Sequence, residues 1–221
     1  IAYRSKPIGY NWPPRIRELP SLVKVRGGKA YFKNGQSKKI DTIILCTGYK
    51  HYFNFLPDDL RLRTENRLAT SDLYKGVVFN PNPAMFYLGM QDQWYTFSMF
   101  DAQAWYVRDI ILGKIFVPDE GSRVLDVTAR QKAEERLADD RAGIFYQGAY
   151  VSELISETDY PMFDIDAANS AFIEYKRHKK KGIMTFRDCC FESAITGKLA
   201  PMHHTRWIEA MDDSLASYLK K

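Results

Sequence analysis

The sequence predicts an α/β fold, and three observations support that class. The segment Thr42 to Cys46 is apolar on both faces and is followed by a Thr-Gly turn, which is typical of a strand inside a sheet that helices cover on both sides. A second apolar run, Phe86 to Leu88, ends at Gly89 and leads into a segment with helical periodicity. The rest of the chain towards the carboxyl terminus predicts further helices.

A hairpin is predicted before the first of these strands. The stretch LVKVRGGKAYFKNGQSKKI alternates polar and apolar residues and contains the dipeptides Gly-Gly and Asn-Gly. Alternation is typical of half-buried strands, and these dipeptides favour tight turns. We therefore expect short antiparallel strands that lead into Thr42 to Cys46.

Helical spacing begins soon after Gly89. Gly113 stands where a helix should stop, and the apolar residues before it recur close to helical spacing: Trp94, Phe97, Phe100, Ala104, Val107 and Ile111. Residues 128–143 predict a charged helix that ends at Gly143. Two more helices are expected in the tail, with Asp166 and Thr205 as caps.

Composition and charge exclude several classes of protein. The 221 residues are 45% hydrophobic and 27% charged, which is typical of a folded globular chain. No apolar run approaches the roughly 18 residues that cross a bilayer. The net charge of +5 is concentrated in KRHKKKG, Lys176 to Gly182, and both a solvated helix face and a phosphate-attracting surface remain open for it. Aromatic residues are not interleaved with this run, so no nucleic-acid partner is predicted.

Cysteines and histidines give no metal-binding pattern. Two of the three cysteines are adjacent, Cys189 and Cys190, and form neither a disulfide framework nor a zinc spacing, which favours a reducing, cytoplasmic location. The four histidines lack the spacing of a metal site, so no metal is predicted. Glycine-rich dinucleotide loops, P-loops and nucleophile elbows are absent from the sequence.

Polar residues follow both predicted strands. Thr47 and Gly48 would place a hydroxyl and an unhindered backbone at the carboxyl edge of a parallel sheet, where open α/β sheets bind ligands. Gln93 and Thr96 lie near the start of the next helix, whose free N–H groups suit an electron-rich ligand. The alternatives are an ordinary turn at Thr47 and a helix that Asp92 caps.

The two strand ends together resemble flavin-containing monooxygenases, which are class B flavoprotein monooxygenases. IDTIILCTGYKHYFNFL resembles the motif D-x-x-I-x-C-T-G-Y-x-x-x-F-x-F-L, and KPIGYNWPP, MQDQWYTFSMFDAQAWYVRDIILGK and TGKLAPMHHTRWIEAMDDSLASYL continue the likeness. It covers essentially the whole chain and is nearest in wording to bacterial members that oxygenate trimethylamine.

The resemblance implies the carboxyl-terminal half of a flavoprotein with two dinucleotide-binding, Rossmann-like domains and a largely helical tail. Residues 1–38 would end the NADPH-binding domain, and residues 39–221 would form the carboxyl-terminal part of the FAD-binding domain. The amino-terminal half, with both glycine loops, would be the partner, and we expect the chain to be inactive without it. The first residue, Ile1, agrees with a fragment. A homodimer is expected for the whole enzyme.

The implied activity is an FAD- and NADPH-dependent conversion of trimethylamine and O2 into trimethylamine N-oxide. NADPH would reduce FAD, and the amine nitrogen would attack a C4a-hydroperoxide of the flavin, while the protein positions the reactants and excludes water. Two alternatives stay open. One is a related enzyme acting on other amines or on sulfides, and the other is an inactive fragment or partner subunit without flavin.

The resemblance also assigns roles to individual residues. Thr47 and Gly48 would lie against the flavin, and Gln93 and Thr96 would hydrogen-bond its ring edge or nearby FAD atoms. Asp92 would lie at the nicotinamide and substrate pocket and is the catalytic candidate.

Three further residues would bind NADP(H). Arg4 would meet the adenosine 2′-phosphate through its guanidinium fork. Tyr175 and Arg187 belong to the tail that folds over NADP⁺ in this family, which often has tryptophan in the place of Tyr175. A surface salt bridge is the alternative for Arg187.

Overall fold

The computed structural model describes residues 1–3, 6–48, 51–63, 66–188, 190, 192–193 and 197–199. It divides the chain into two compact units. The first unit holds residues 1–48, 174–193 and 198–221, and the second holds residues 49–173 and 194–197. The predicted cap Thr205 lies outside the described residues. The predicted domain boundary after residue 38 stays a prediction.

A three-stranded antiparallel sheet in the first unit confirms the predicted hairpin. Strands β1 (Leu22–Arg26), β2 (Lys29–Phe32) and β3 (Ser37–Lys39) pair in the order β1-β2-β3. The Gly-Gly dipeptide between β1 and β2 has φ angles of +55° and +69°, which residues with a side chain rarely adopt. The turn chemistry therefore fixed the hairpin locally.

The prediction of a strand at Thr42 to Cys46 is wrong for this chain. These residues form no strand, and the side chains of Ile44 and Leu45 are 82% and 76% exposed. A strand that is apolar on both faces needs paired neighbours and covering layers, and the described residues supply neither. The segment therefore presents its apolar side chains to solvent.

Among its described residues, the second unit has a small two-stranded sheet. Strand β4 (Leu73–Tyr74) pairs antiparallel with β5 (Val78–Phe79), and Phe86 forms an isolated antiparallel bridge with Val78. The strand predicted at Phe86 to Leu88 is thus reduced to one bridge. It still delivers the chain to Gly89, as the sequence predicted.

Four α-helices occur in the part of the chain that the structure describes. They are α1 (Thr96–Ile111), α2 (Glu120–Glu135), α3 (Asp140–Ser156) and α4 (Ile165–Lys181). Within that part, none of them is long and apolar enough to cross a membrane. Helix α1 ends at Ile111 and Gly113 follows with φ +70°, as predicted.

Two predicted helix boundaries are wrong because aspartates other than the expected ones cap the helices. Gly143 does not end a helix but lies in the first turn of α3, because Asp139 accepts the Ala142 N–H at 2.8 Å and starts that helix. Asp166 is likewise inside the first turn of α4. Asp164 accepts the Ala167 N–H there, at 2.8 Å.

The main core of the second unit lies where α1 packs on α3. Its buried side chains include Met99, Ala102, Tyr106, Val151 and Leu154. The predicted apolar stripe of α1 is only partly buried, since Phe97 is 80% and Ile111 69% exposed. The buried face instead contains a fully buried polar residue, Gln103, whose amide forms hydrogen bonds.

Gly76 sits where the loop after β4 touches this core. Its φ is +68°, and a Cβ there would lie 2.0 Å from Gln91 Nε2 and 2.6 Å from Tyr150 Oη. Gly113 has almost the same φ, +70°, but nothing within 4 Å of a Cβ. The two glycines therefore differ in space and not in backbone conformation.

We expect Gly76→Ala to destabilise the chain more than Gly113→Ala. The second substitution carries only the left-handed backbone cost, about 1–2 kcal/mol, whereas the first adds an overpacking cost of about 1–3 kcal/mol. Urea unfolding of both variants measures the difference. Equal losses would show that the loop moves away from Gln91 and Tyr150 at no cost.

Candidate functional site

The 89–95 loop, residues Gly89 to Tyr95, joins the Phe86 bridge to helix α1 and carries two of the predicted site residues. It begins at Gly89, where φ is +71° and a Cβ would lie 2.7 Å from the Phe100 ring. Only glycine combines this φ with such a close approach. The loop therefore starts in a fixed direction, close against α1.

Asp92 and Gln93 are the polar side chains of the loop. Asp92 is exposed, and its Oδ1 accepts the Gln93 N–H at 2.9 Å. Gln93 is half-buried and donates from Nε2 to the Gly89 carbonyl at 3.2 Å. Among the described residues its Oε1 has no hydrogen-bond partner. The alternative in which Asp92 caps α1 is wrong, because its carboxylate binds the adjacent N–H instead.

Helix α1 starts at Thr96 without a capping side chain. Tyr95 occupies the cap position and makes no side-chain cap bond, whereas aspartates cap α2, α3 and α4. Within the described residues, the N–H groups of Thr96, Phe97 and Ser98 have no acceptor. These donors and the positive end of the helix dipole suit an electron-rich ligand edge.

Gln147 on α3 fixes the loop from behind. This side chain is 1% exposed, and all three of its hydrogen bonds go to loop backbone. Oε1 accepts the N–H groups of Trp94 at 2.5 Å and Tyr95 at 2.9 Å, and Nε2 donates to the Asp92 carbonyl at 2.7 Å.

A second buried amide network holds the start of the loop. Gln103 Oε1 accepts the Gly89 N–H at 2.8 Å, and its Nε2 donates to Gln91 Oε1 at 3.0 Å and to Tyr150 Oη at 2.9 Å. The Tyr150 hydroxyl donates in turn to the Lys75 carbonyl at 2.9 Å. Burial raises the pKa of Tyr150 above its usual range, so the hydroxyl stays protonated and keeps donating.

An ionic layer packs against Tyr150. The Arg130 guanidinium lies 5.6 Å from the centre of the Tyr150 ring and donates to Glu153 at 2.8 Å, and Lys75 also donates to Glu153. Burial by itself would raise the pKa of Glu153, but the hydrogen bonds and charges of Lys75 and Arg130 outweigh it and lower that pKa. Glu153 therefore stays ionised near neutral pH and anchors both cations.

Thr47 and Gly48 belong to the first unit, whereas the 89–95 loop belongs to the second. Both are exposed, Gly48 has φ +77°, and nothing lies within 4 Å of a Cβ built on it. The backbone at Gly48 is therefore open to a ligand. Their predicted position beside Gln93 concerns two different units and stays a prediction.

Tyr175 and Arg187 come together in the first unit through a shared neighbour, Phe186. The Tyr175 ring lies 5.3 Å from the buried Phe186 ring, edge to face, and the Arg187 guanidinium lies 4.5 Å from the same ring centre. Arg187 is exposed and forms no ion pair with any described carboxylate, so the salt-bridge alternative is not supported. Arg4 lies outside the described residues.

The basic run at the end of α4 borders a cavity of about 310 Å³ in the first unit. Its lining residues are Arg177, His178, Lys181, Gly182, Thr185 and Phe186. Arg177 and His178 both contact Glu174, and the hydrogen bond from Arg177 is the main cause that lowers the pKa of this carboxyl to about 2. Part of the basic run is therefore neutralised locally. No cluster of His, Cys, Asp and Glu in the described ranges could hold a metal ion.

Sequence reasoning missed the buried glutamines. Gln147 follows Ile144 by three residues and precedes Val151 by four, so it lies on the buried stripe of α3. A polar residue on such a stripe must form hydrogen bonds, and this pattern could have marked it as a backbone anchor.

Comparisons with known proteins confirm the resemblance that the sequence suggested. The family model described as FMO-like, flavin-binding monooxygenase-like, matches residues 15–161. The chain is 60% identical over 220 residues to trimethylamine monooxygenase of Roseovarius sp. (strain 217), covering 100% of this chain and 49% of that protein. It is 48% identical to trimethylamine monooxygenase of Methylocella silvestris, covering 99% of this chain and 48% of that protein.

Solved structures agree with this assignment and with the predicted fold class. The crystal structure of Tmm from Pelagibacter sp. strain HTCC7211 matches with a TM-score of 0.87 and 44% identity, covering 98% of this chain and 49% of that one. S-allyl-L-cysteine S-oxygenase from Allium sativum, with a TM-score of 0.61 and 20% identity, covers 84% of this chain and 44% of that one and shows the fold alone. The chain spans about half the length of the curated relatives it matches.

Proposed function

The chain belongs to the flavin-binding monooxygenase-like family, and we propose that it is the carboxyl-terminal half of an FAD- and NADPH-dependent enzyme that oxygenates trimethylamine to trimethylamine N-oxide. The two relatives described above carry the name trimethylamine monooxygenase. The structural observation that supports the proposal is the start of α1, which has no capping side chain. Hydrogen bonds to Gln147 hold the 89–95 loop that precedes it.

The residues at this helix start fit a flavin. The ring edge of a flavin carries carbonyl oxygens and ring nitrogens that accept hydrogen bonds, and the N–H groups of Thr96, Phe97 and Ser98 have no other described acceptor. The Gln93 amide adds a donor and an acceptor beside them. When bound, the flavin supplies the redox chemistry.

The chain's own part is to orient ligands and to exclude water. Backbone donors at a helix start are fixed dipoles that need little reorganisation when negative charge develops nearby. The Phe97 side chain, 80% exposed beside these donors, is available to cover a ligand and to displace water from it. Thr47 and Gly48 remain proposed flavin contacts, and the backbone at Gly48 is open.

Asp92 suits the amine substrate. Trimethylamine is mostly protonated near neutral pH, and only the unprotonated nitrogen has a lone pair to oxygenate. The exposed Asp92 carboxylate would attract the ammonium ion through Oδ2, while Oδ1 stays bound to the Gln93 N–H, and the ammonium proton would leave to solvent before the nitrogen reacts. This assigns Asp92 the role of the anion that attracts and orients the amine.

Tyr175 and Arg187 suit a nicotinamide dinucleotide. Arg187 presents an exposed guanidinium that no described carboxylate neutralises, and Phe186 fixes its position. A guanidinium of this kind matches phosphate oxygens in pairs. The Tyr175 ring packs edge to face against Phe186. It would stack on a ring of the dinucleotide in the way that the family's tryptophan would. Arg4 keeps its role as a proposal for the 2′-phosphate.

The exposed segment 42–46 supports an amino-terminal half as the partner. Ile44 and Leu45 are among the most exposed large apolar side chains of the first unit. Exposed apolar strands favour pairing with further strands, and the matched relatives have about as many additional residues as this chain contains. A partner that adds neighbouring strands would bury these side chains.

The proposal is tested in what we call the joined enzyme, this chain fused behind the amino-terminal half of the Roseovarius sp. relative. We expect a yellow, flavin-containing protein that consumes NADPH with trimethylamine and releases its N-oxide. Dimethylamine and dimethyl sulfide serve as parallel substrates. A colourless joined enzyme would contradict the proposal, and NADPH consumption coupled only to sulfide oxidation would favour the alternative related enzyme.

Gln93→Ala is expected to weaken flavin retention in the joined enzyme by about 5- to 10-fold, the value of about one hydrogen bond. The measurement is the flavin dissociation constant after dialysis. Gln131→Ala removes an amide from α2 of the same unit and serves as the control. Unchanged retention in Gln93→Ala would remove Gln93 from the flavin site.

Arg187→Ala is expected to raise the KM for NADPH by about 3- to 10-fold and to leave the KM for trimethylamine nearly unchanged, because it removes one charged phosphate contact. Arg141 is a matched control, since its guanidinium lies 5.3 Å from the Phe145 ring in the second unit. Equal effects of Arg187→Ala and Arg141→Ala on NADPH would contradict a cofactor role.

A further inference from the structure

The first-turn N–H groups of α1 form no hydrogen bond with a capping side chain, although such a bond is usual at the start of a helix. A Ser, Thr, Asn or Asp at the cap position accepts an N–H from the first turn. Here Tyr95 holds that position and turns inward, with its hydroxyl 2.8 Å from Asn169 Oδ1 and 3.1 Å from the Ile165 carbonyl. The first-turn N–H groups therefore stay available.

Gln147 supplies the order that the missing cap would have given. Its Oε1 accepts hydrogen bonds from the two N–H groups just before the helix, those of Trp94 and Tyr95. Its Nε2 donates a hydrogen bond to the Asp92 carbonyl. These bonds fix both sides of Gln93 while leaving the donors of Thr96, Phe97 and Ser98 untouched. A side chain that is 1% exposed makes these contacts where water does not compete.

We propose that Gln147 is a positioning residue for the flavin site: through backbone hydrogen bonds alone, it holds the 89–95 loop and the start of α1 in the geometry that receives the flavin edge. This inference rests on the proposed function. Gln147 touches no ligand itself, and its effect passes through Asp92, Trp94 and Tyr95.

Gln103 holds the opposite end of the loop in the same way. Its Oε1 takes the Gly89 N–H at 2.8 Å, and the Gly89 carbonyl accepts from Gln93 Nε2. The position of the Gln93 amide therefore depends on both buried glutamines. The loop has a fixed point at each end, one supplied by α1 and one by α3.

The test compares Gln147→Met with Leu154→Ala in the joined enzyme. Methionine has nearly the volume of glutamine but leaves two buried N–H groups without an acceptor. Leu154 lies two turns further along α3, is fully buried and forms no side-chain hydrogen bond. Both variants destabilise the second unit, and only the first releases the loop.

The first measurement is amide hydrogen exchange without flavin. In Gln147→Met we expect exchange at Trp94 and Tyr95 to accelerate about tenfold or more relative to the rest of α1 and α3, as expected for loss of buried hydrogen bonds. Leu154→Ala should accelerate exchange evenly. Unchanged relative exchange at Trp94 and Tyr95 would overturn the proposal.

The second measurement is flavin affinity at a temperature where both variants remain folded. We expect Gln147→Met to weaken it about tenfold or more and Leu154→Ala to leave it within about twofold. Faster exchange in Gln147→Met with unchanged flavin affinity would overturn the positioning role. A parent joined enzyme that protects Trp94 and Tyr95 but binds no flavin would instead contradict the proposed function.

Gln147→Glu keeps the test decisive if the methionine variant does not fold. The carboxylate retains the acceptor for Trp94 and Tyr95 but cannot donate to the Asp92 carbonyl. We expect it to preserve slow exchange at Trp94 and Tyr95 and to bind flavin more weakly than the parent joined enzyme, because the bond to the Asp92 carbonyl is lost. Loss of protection at those two amides in this variant would overturn the proposal.

Discussion

The second unit depends on buried amide side chains that satisfy the backbone of its irregular segments. A glutamine amide both donates and accepts, so Gln147 can bind two N–H groups and one carbonyl of the same loop. An apolar residue would leave these groups unpaired inside the core, at about 1–3 kcal/mol for each. Gln91 and Gln103 do the same work at Gly76 and Gly89. A loop without regular structure can therefore be as fixed as the helices beside it.

Local chemistry explains what the sequence predicted well. The hairpin followed from Gly-Gly and Asn-Gly turns, and the end of α1 followed from Gly113, because each depends on a few neighbouring residues. The end predicted at Gly143 failed for an equally local reason: Asp139 offers a carboxylate to free N–H groups and starts a new helix. The segment 42–46 failed for a different reason, since a strand exists only if other strands pair with it.

The sequence suggested candidate site residues where polar side chains follow a strand end, and it did not suggest the polar side chains that are buried behind them. Gln93 and Thr96 follow Gly89, and Thr96 is the first residue of α1, so their order along the chain was enough to name them as candidates. Gln147 lies where helical periodicity predicts an apolar side chain, which indicates a buried, hydrogen-bonded amide but does not identify the backbone groups that it binds. Which backbone groups need a partner inside the core depends on how α1 and α3 pack, and the sequence does not state this.

Under the proposed function, the Gln147 amide also fixes the position of the Asp92 carboxylate relative to the N–H donors of α1. Asp92 offers a carboxylate to a cationic amine, and the N–H groups from Thr96 onward offer positive dipoles to a flavin edge. Gln147 forms hydrogen bonds with the backbone at Asp92 and at Tyr95. Both ends of the backbone segment between the Asp92 carboxylate and the N–H donors are therefore fixed. If the loop were free, the carboxylate could fold onto the helix start and cap it, as aspartates do on the other three helices. Holding Asp92 away keeps its charge for the substrate and the donors for the cofactor.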